Sequence, residues 1–188
     1  MSAQVMPCPM SYLQAILRLG LSLATFALSA NCQQLAAGNL LVATPQSHDP
    51  DFARTIVLLI HYDSHAAIGL ILNKPTGALI SELLPEAPGK AVTVYAGGPV
   101  ASGVRGLLRS KSPPFFSVIT GKSELLKLIS SGAAPGWFRI YAGYTGWTAR
   151  QLQSEVTRGL WKVLPANGKM LFDPRPATLW QRALAHQK

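Results

Sequence analysis

The chain has 188 residues, of which 48% are hydrophobic and only 13% are charged. This composition excludes a disordered protein and predicts one sizeable globular domain. The formal net charge of +9 is concentrated in residues 102–188, which carry thirteen Lys/Arg against three acids, whereas residues 38–101 carry three against five. The basic residues are scattered, so a solvated surface is the first interpretation, and contact with nucleic acid, anionic lipid or an acidic partner is the second.

Residues 1–37 differ from the rest of the chain. Arg18 is their only charged residue, and the run LGLSLATFALSA follows it. This run is shorter than the ~20 apolar residues of a spanning helix, and it is typical of a secretory signal, with small residues at Ala27, Ser29 and Ala30 for cleavage. We therefore expect a signal-peptide-like leader over residues 1–37 and export to the periplasm or cell envelope. The alternative is a cytoplasmic protein whose gene start is mis-called.

The two cysteines, Cys8 and Cys32, both lie in this leader. Residues 38–188 therefore offer no internal disulfide and no thiolate metal site. Cys32 follows the apolar run and suggests a lipoprotein, although Asn31 stands where a small residue is expected before it.

Residues 38–188 interleave short strand and helix patterns, with a hairpin-length DSHA connection between the second and third strands. This order predicts an α/β (α+β) fold, a single compact domain with a mixed β-sheet and helices packed on it. The strand patterns are 40–43, 55–62, 67–73, 92–96, 106–108, 115–119, 137–142 and 170–172. The helix patterns are 78–84, 123–129, 148–160 and 178–185.

The stretch AGYTGWTARQLQSEV, residues 142–156, holds two glycines and a tryptophan directly before a predicted helix. Gly143 and Gly146 are expected to let the chain leave a strand and turn sharply, with Trp147 filling the joint. Thr148 and Gln151 have the spacing of a capping box, in which each side chain satisfies the other residue's backbone N–H.

Glu155 lies on the same predicted helix. We expect it to accept a hydrogen bond from a strand-end backbone N–H or to pair with an arginine such as Arg54.

Glycines and polar residues follow three predicted strands, which suggests a binding rim at one end of the sheet. Backbone N–H groups of such turns can hold a carboxylate or phosphate, with aromatic side chains as walls and Gln151 as a polar anchor. A purely structural use of these turns is the first interpretation. The candidate rim consists of Asn73, Pro75, Gly97, Gly98, Pro99, Tyr144, Gly146, Trp147, Gln151 and Glu155.

His61, Asp63 and His65 alternate along the chain and would share one face of an extended strand, as metal ligands can. An exposed hairpin tip is the preferred interpretation, so no metal and no cofactor is predicted. The motifs G-x-S-x-G, GxGxxG and the P-loop do not occur in the sequence.

Three blocks of the sequence resemble the YqgE/AlgH family of small bacterial proteins. They are LLVATPQSHDPDFARTIVLLI with GLILNKP, then VYAGGPV, then AGYTGWTARQLQSEV with LWKVLPAN and LFD…LW. They cover almost all of residues 39–184 in order. The resemblance implies a compact domain with a mixed, partly rolled sheet and flanking helices. It implies no settled activity, although some members carry the label of transcriptional regulator.

The chain departs from the family pattern in four places. The leader is unusual, and His61 and Tyr62 stand where an acidic residue and a histidine are often found. The helix reads Arg150-Gln151-Leu152-Gln153 instead of Gly-Gln-Leu-Glu, and the segment after GGPV is shorter than usual.

Three functions compete. The first is a non-enzymatic binding or interaction protein of the cell envelope, whose partner is an anionic small molecule or a protein. The second is a metal-assisted hydrolase that uses His61, Asp63 and Glu155. The third is a transcriptional-regulator-like protein, although nucleic acid is not an expected partner if the chain is exported.

Overall fold

The computed structural model describes residues 34–87, 92–132 and 136–185. Within these ranges the domain has eight strands and five helices. The strands are β1 (Asn39–Ala43), β2 (Ile56–Tyr62), β3 (Ala66–Ile71), β4 (Val94–Ala96), β5 (Val100–Arg109), β6 (Phe116–Ile119), β7 (Phe138–Thr148) and β8 (Trp161–Pro165). The helices are α1 (Ile80–Leu83), α2 (Lys122–Ser130), α3 (Ala149–Thr157), α4 (Gly168–Leu171) and α5 (Pro176–Ala185).

The strands form one curled sheet in the order β6-β5-β7-β3-β2-β1-β8. These neighbours are antiparallel, whereas β4 runs parallel to β7 beside its first half. The predicted single domain with a mixed, partly rolled sheet and flanking helices is therefore confirmed.

The inner face of the sheet packs against α4 and α5. Along β1 and β2, every second side chain points to this face, including Leu40, Val42, Ile56 and Leu58, and all four are fully buried. The same cluster takes Leu107 from β5, so a single core spans most of the sheet. The β-branched and leucine-rich composition of these strands explains the packing, since burial of each such side chain contributes about 1.5–3 kcal/mol.

The outer face carries two smaller clusters. One joins the alternate side chains of β1 and β2, such as Leu41 and Val57, to Trp147, Leu152 of α3 and Trp161 of β8. The other joins β4 and β7 to α1 and α2. The three clusters place α3 opposite α5, with the sheet between them.

Gly143 interrupts the alternation of side chains along β7. Tyr141 and Tyr144 both pack in the inner cluster although they are three positions apart, and Trp147 packs in the outer one. Gly143 has a φ of +70°, and the pairing of β5 with β7 shifts at this point. One residue in the left-handed region therefore exchanges the faces of the residues that follow it.

The structure corrects four of the element predictions. β7 continues to Thr148, so Gly143–Trp147 is strand and not the expected turn into the helix. Residues 170–172 were predicted as a strand, but they form the end of the short helix α4 and the turn that follows it. Asn167 caps this helix by accepting a hydrogen bond from the N–H of Met170. Strand β8 was not predicted, and β5 is far longer than residues 106–108.

The described chain begins just before β1. Leu35 is 5% exposed and packs in the outer cluster. The expected cleavage and lipidation sites, including Cys32, lie outside the described residues. Among those described, no helix is long and apolar enough to span a membrane.

Candidate functional site

The three segments of the predicted rim adjoin one another through backbone contacts. The N–H of Ala96 donates to the carbonyl of Lys74, and the N–H of Ile71 donates to that of Gly97. The N–H of Gly97 itself donates to Ala142 at 2.7 Å, so this group is used inside the sheet instead of being free for a ligand. A Cβ at Gly97 would lie 2.3 Å from the Gly143 carbonyl oxygen, and close approach of two chains explains the glycine.

Asn73 and Pro75 have structural contacts at this end. The Asn73 side chain accepts a hydrogen bond from the N–H of Ile56 and donates to the carbonyl of Arg54, at 2.9 Å each. Pro75 forms an isolated bridge with Tyr95. Asn73 therefore joins the loop before β2 to the end of β3, as an asparagine at a strand end can.

The side chains of the predicted rim lie on two faces of the sheet. Tyr144 is on the inner face, whereas Trp147 belongs to the outer cluster, with α3 and its residues Gln151 and Glu155. The bulge at Gly143 causes this division. Tyr144 and Trp147 therefore do not form two walls of one cavity.

Glu155 is the centre of a hydrogen-bonded group on the outer face. Its Oε2 accepts hydrogen bonds from the indole N–H groups of Trp147 at 3.1 Å and Trp161 at 2.8 Å. Its Oε1 accepts from the Gln151 amide at 3.0 Å. The expected partner, Arg54 or a backbone N–H, was wrong, because the two indoles already point at this carboxylate.

The same contacts decide the capping prediction. Thr148 caps α3 by accepting a hydrogen bond from the N–H of Gln151, which confirms one half of the capping box. The Gln151 side chain bonds to Glu155 instead of returning to Thr148.

His61, Asp63 and His65 lie at an exposed hairpin tip between β2 and β3. Asp63 accepts hydrogen bonds from the N–H groups of His65 and Ala66 and from the His61 ring. These hydrogen bonds lower the pKa of Asp63 to about 2, and the bond from the N–H of Ala66 has the largest effect. In the described parts of the chain, no three His, Cys, Asp or Glu residues are grouped to hold a metal ion.

Sequence reasoning missed a group of arginines on the inner face. Alternate residues of β5, together with their neighbours on β7, bring three guanidinium groups to this face, each against an aromatic ring. The Cζ atoms of Arg105, Arg109 and Arg139 lie 4.1, 4.8 and 4.7 Å from the ring centroids of Tyr144, Phe172 and Tyr95. We call this group the arginine–aromatic patch, and it consists of Arg105, Arg109, Arg139, Tyr95, Tyr141, Tyr144 and Phe172.

Arg139 is only 6% exposed. It donates to the carbonyls of Leu72, at 3.1 Å, and Asp173. Among the described residues no carboxylate lies within 4.0 Å of it, and the same is true of Arg105 and Arg109. The patch therefore carries positive charge that is balanced by carbonyl dipoles and ring faces alone.

Two further donors in the patch have no acceptor. Arg109 Nε and the Tyr141 hydroxyl are buried, and no atom of the described residues accepts a hydrogen bond from them. Burial raises the pKa of Tyr141 well above its usual range, and the charge of Arg139 opposes this only in part. The Tyr141 hydroxyl is therefore protonated at neutral pH and can donate.

The patch could have been suspected only from combined signals. Arg105, Leu107 and Arg109 alternate along a strand, and Arg139 and Tyr141 do so on another. Their register, with Arg105 opposite Tyr141 and Leu107 opposite Arg139, is not readable from the sequence.

Comparisons with known proteins identify relatives over the whole domain. A family model described as AlgH-like, DUF179, matches residues 40–188. A UPF0301 protein of Streptomyces coelicolor is 34% identical over 166 residues, covering 80% of this chain and 86% of that protein. A UPF0301 protein of Idiomarina loihiensis is 32% identical over 162 residues, covering 77% and 87%.

Solved structures agree with this relationship. The solution structure of the AlgH protein from Pseudomonas aeruginosa is 30% identical, with a TM-score of 0.67 over 80% of this chain and 87% of that chain. A crystal structure of a Corynebacterium diphtheriae protein, 24% identical, has a TM-score of 0.64 over 82% and 88% and supports the fold alone. The chain therefore belongs to the AlgH-like family.

Proposed function

We propose that this AlgH-like protein is a non-enzymatic binding protein that takes a small anionic ligand at the arginine–aromatic patch. The observation that carries the proposal is the presence of three guanidinium groups on one curved face, with no carboxylate partner among the described residues. A guanidinium presents N–H donors in a planar fork that matches carboxylate and phosphate oxygens.

The unused donors support the same ligand chemistry. Arg109 Nε and the Tyr141 hydroxyl are buried and have no acceptor among the described residues, and leaving a buried donor unsatisfied costs about 1–3 kcal/mol. An anion with several oxygens would supply acceptors and negative charge together. A cation would meet the positive charge of three guanidinium groups.

The other two functions have less support. For a metal-assisted hydrolase, Asp63 is already engaged by two backbone N–H groups, and both oxygens of Glu155 accept hydrogen bonds. For a nucleic-acid-binding regulator, Arg139 is too deeply buried to reach a phosphate backbone.

Titration with inorganic phosphate at constant ionic strength tests the proposal, with binding followed by calorimetry and by NMR shifts of the arginine side chains. We expect the double variant Arg105→Gln/Arg109→Gln to weaken phosphate binding at least about tenfold, since charge-assisted hydrogen bonds are lost. Arg150→Gln is the matched control, because Arg150 is exposed on α3, which packs on the outer face. Equal weakening in the control, or no phosphate binding by the unchanged protein, would contradict the proposal.

We also propose that the protein acts in the cell envelope, on the strength of the signal-like pattern in residues 1–37. Fractionation of cells that make the full chain, followed by sequencing of the mature N-terminus, tests this. We expect an envelope product that begins near residues 30–33. A cytoplasmic product that still begins at Met1 or Met10 would refute export, and a lipid on Cys32 would identify a lipoprotein.

A further inference from the structure

The turn after α4 covers the inner part of the patch. The ring of Phe172 lies 4.8 Å from Cζ of Arg109 and 6.0 Å from that of Arg139, and it is 3% exposed. The carbonyl of Asp173 accepts a hydrogen bond from Nη2 of Arg139. An aromatic ring and a carbonyl oxygen from two adjacent residues thus occupy the positions that a ligand of this arginine would use.

A separate contact holds this turn in place from outside the patch. The Asp173 carboxylate accepts two hydrogen bonds from Arg182 of α5, at 2.7 and 2.8 Å. Arg182 also donates to the carbonyl of Arg175 at 3.1 Å. The Arg182 side chain is 31% exposed. The turn is therefore held by a contact near the protein surface, in addition to the contact with buried Arg139.

We propose that the Phe172–Asp173 turn is an internal occupant of the patch, and that the ligand which replaces it is an aryl carboxylate. Its ring would take the place of the Phe172 ring, and its carboxylate would take that of the Asp173 carbonyl on Arg139. This inference rests on the proposed function and narrows it from small anions to one chemical class.

The exchange is favourable at both ends of such a ligand. A carboxylate can accept two parallel hydrogen bonds from one guanidinium with both partners ionised, whereas the Asp173 carbonyl accepts one bond with only the donor charged. It would also give Arg139 the negative partner that it lacks among the described residues. The aromatic ring restores the cation–π contacts that Phe172 gives up.

The first experiment compares 3-phenylpropionate, acetate and inorganic phosphate on the full chain, by calorimetry at constant ionic strength. We expect 3-phenylpropionate to bind at least about tenfold more tightly than acetate, because the ring adds apolar and cation–π contacts. Equal binding of the two carboxylates overturns this inference and leaves the proposed function standing. Failure of all three anions to bind overturns both.

The second experiment loosens the turn. Arg182→Gln removes the fastening to Asp173, and we expect 3-phenylpropionate to bind several-fold more tightly to this variant, since less work is needed to displace the turn. Lys122→Gln is the matched control, because it breaks the exposed Lys122–Glu86 pair on α2 away from the patch. Unchanged affinity in Arg182→Gln would show that the turn does not compete with the ligand.

The third experiment removes the internal ring. In Phe172→Ala, 3-phenylpropionate should raise the melting temperature more than it does in the unchanged protein, and acetate should not. Leu179→Ala is the control, since Leu179 is also buried in the inner cluster. Equal rescue of both variants would contradict the assigned ring position, and if Phe172→Ala does not fold, the Arg182→Gln result decides.

Discussion

The two faces of the sheet each hold a charged group beside aromatic rings, half-buried Glu155 outside and buried Arg139 inside, but the two groups have different hydrogen-bond partners. On the outer face, both oxygens of Glu155 accept hydrogen bonds, from two indoles and an amide. On the inner face, Arg139 meets carbonyls and rings, and two neighbouring donors have no acceptor among the described residues. The outer group is saturated and can serve as a structural cross-link, whereas the inner group contains donors that no described residue satisfies.

The aromatic packing on the outer face strengthens this contrast. Phe52 stacks on Trp147 with centroids 5.3 Å apart and meets Trp161 edge-on at 5.3 Å. Because the indoles donate to Glu155 while their rings pack with Phe52, each tryptophan has both a polar and an apolar partner. The predicted rim residues Trp147, Gln151 and Glu155 thus take part in stabilising α3 against the sheet.

Replacement of Glu155 is the most direct test of the difference between the two faces. Glu155→Leu should lower the free energy of unfolding by about 2–4 kcal/mol, because two buried indole N–H groups lose their acceptor. Glu155→Gln should cost less, since one oxygen remains to accept. Urea unfolding, followed by tryptophan fluorescence, measures both. A loss in Glu155→Leu no larger than that in Glu155→Gln would show that the indole bonds contribute little.

Gly143 is the residue that assigns side chains to the two faces. Gly143→Ala should cost about 2 kcal/mol, because alanine is strained at a φ of +70° and its Cβ would lie 2.6 Å from the Val100 carbonyl oxygen. Gly146→Ala is the control, since a Cβ there meets only the Tyr144 ring, at 3.5 Å. Thermal unfolding of the two variants should differ by several degrees. Similar melting temperatures would contradict the role given to the bulge.

The pH dependence of stability sharpens the comparison from the inner side. Hydrogen bonds from Arg182 lower the pKa of Asp173 below its usual value. A carboxyl with a lowered folded-state pKa stabilises the fold above its unfolded pKa of about 3.9, and this contribution is lost as the pH falls through the folded value. We expect Asp173→Asn to lose about 1 kcal/mol at pH 7 and to lose less stability than the unchanged protein between pH 4 and pH 2. Urea titrations of both proteins at these pH values give the free energy of unfolding as a function of pH. If Asp173 contributes nothing, this free energy should fall equally in the two proteins as the pH is lowered.

Much of the sheet could be predicted because local pattern and tertiary context agree there. The apolar runs of β2 and β3 on either side of a polar tetrapeptide identify a hairpin, and Thr148 identifies the start of α3. The sequence also contained a signal for β8, since Trp161 and Val163 are buried on either side of exposed Lys162. That alternation is only five residues long, and the nearby helical stripe obscured it.

The arginine–aromatic patch could not be predicted, for a different reason. Its residues come from strands that are far apart in sequence, and their shared face depends on the β5–β7 register and on the side-chain alternation along each strand. A one-residue change in register reverses which side chains meet. Tyr144 reaches the patch only because the bulge at Gly143 exchanges the faces, and nothing in the order of residues dictates where that bulge falls.

Gly143 also decides which face of the sheet each later residue of β7 occupies. This residue occupies one position in the strand but does not count in the alternation of side chains between the two faces. The residues after it therefore lie on the faces opposite to those that regular alternation would give them. If Gly143 adopted the regular extended conformation instead, Tyr144 would turn away from Arg105 and Trp147 would point at the opposite core, even though no residue in the protein would change. The backbone conformation of one residue, as well as the amino-acid composition of the strand, therefore determines which side chains enter the inner cluster and which enter the outer one.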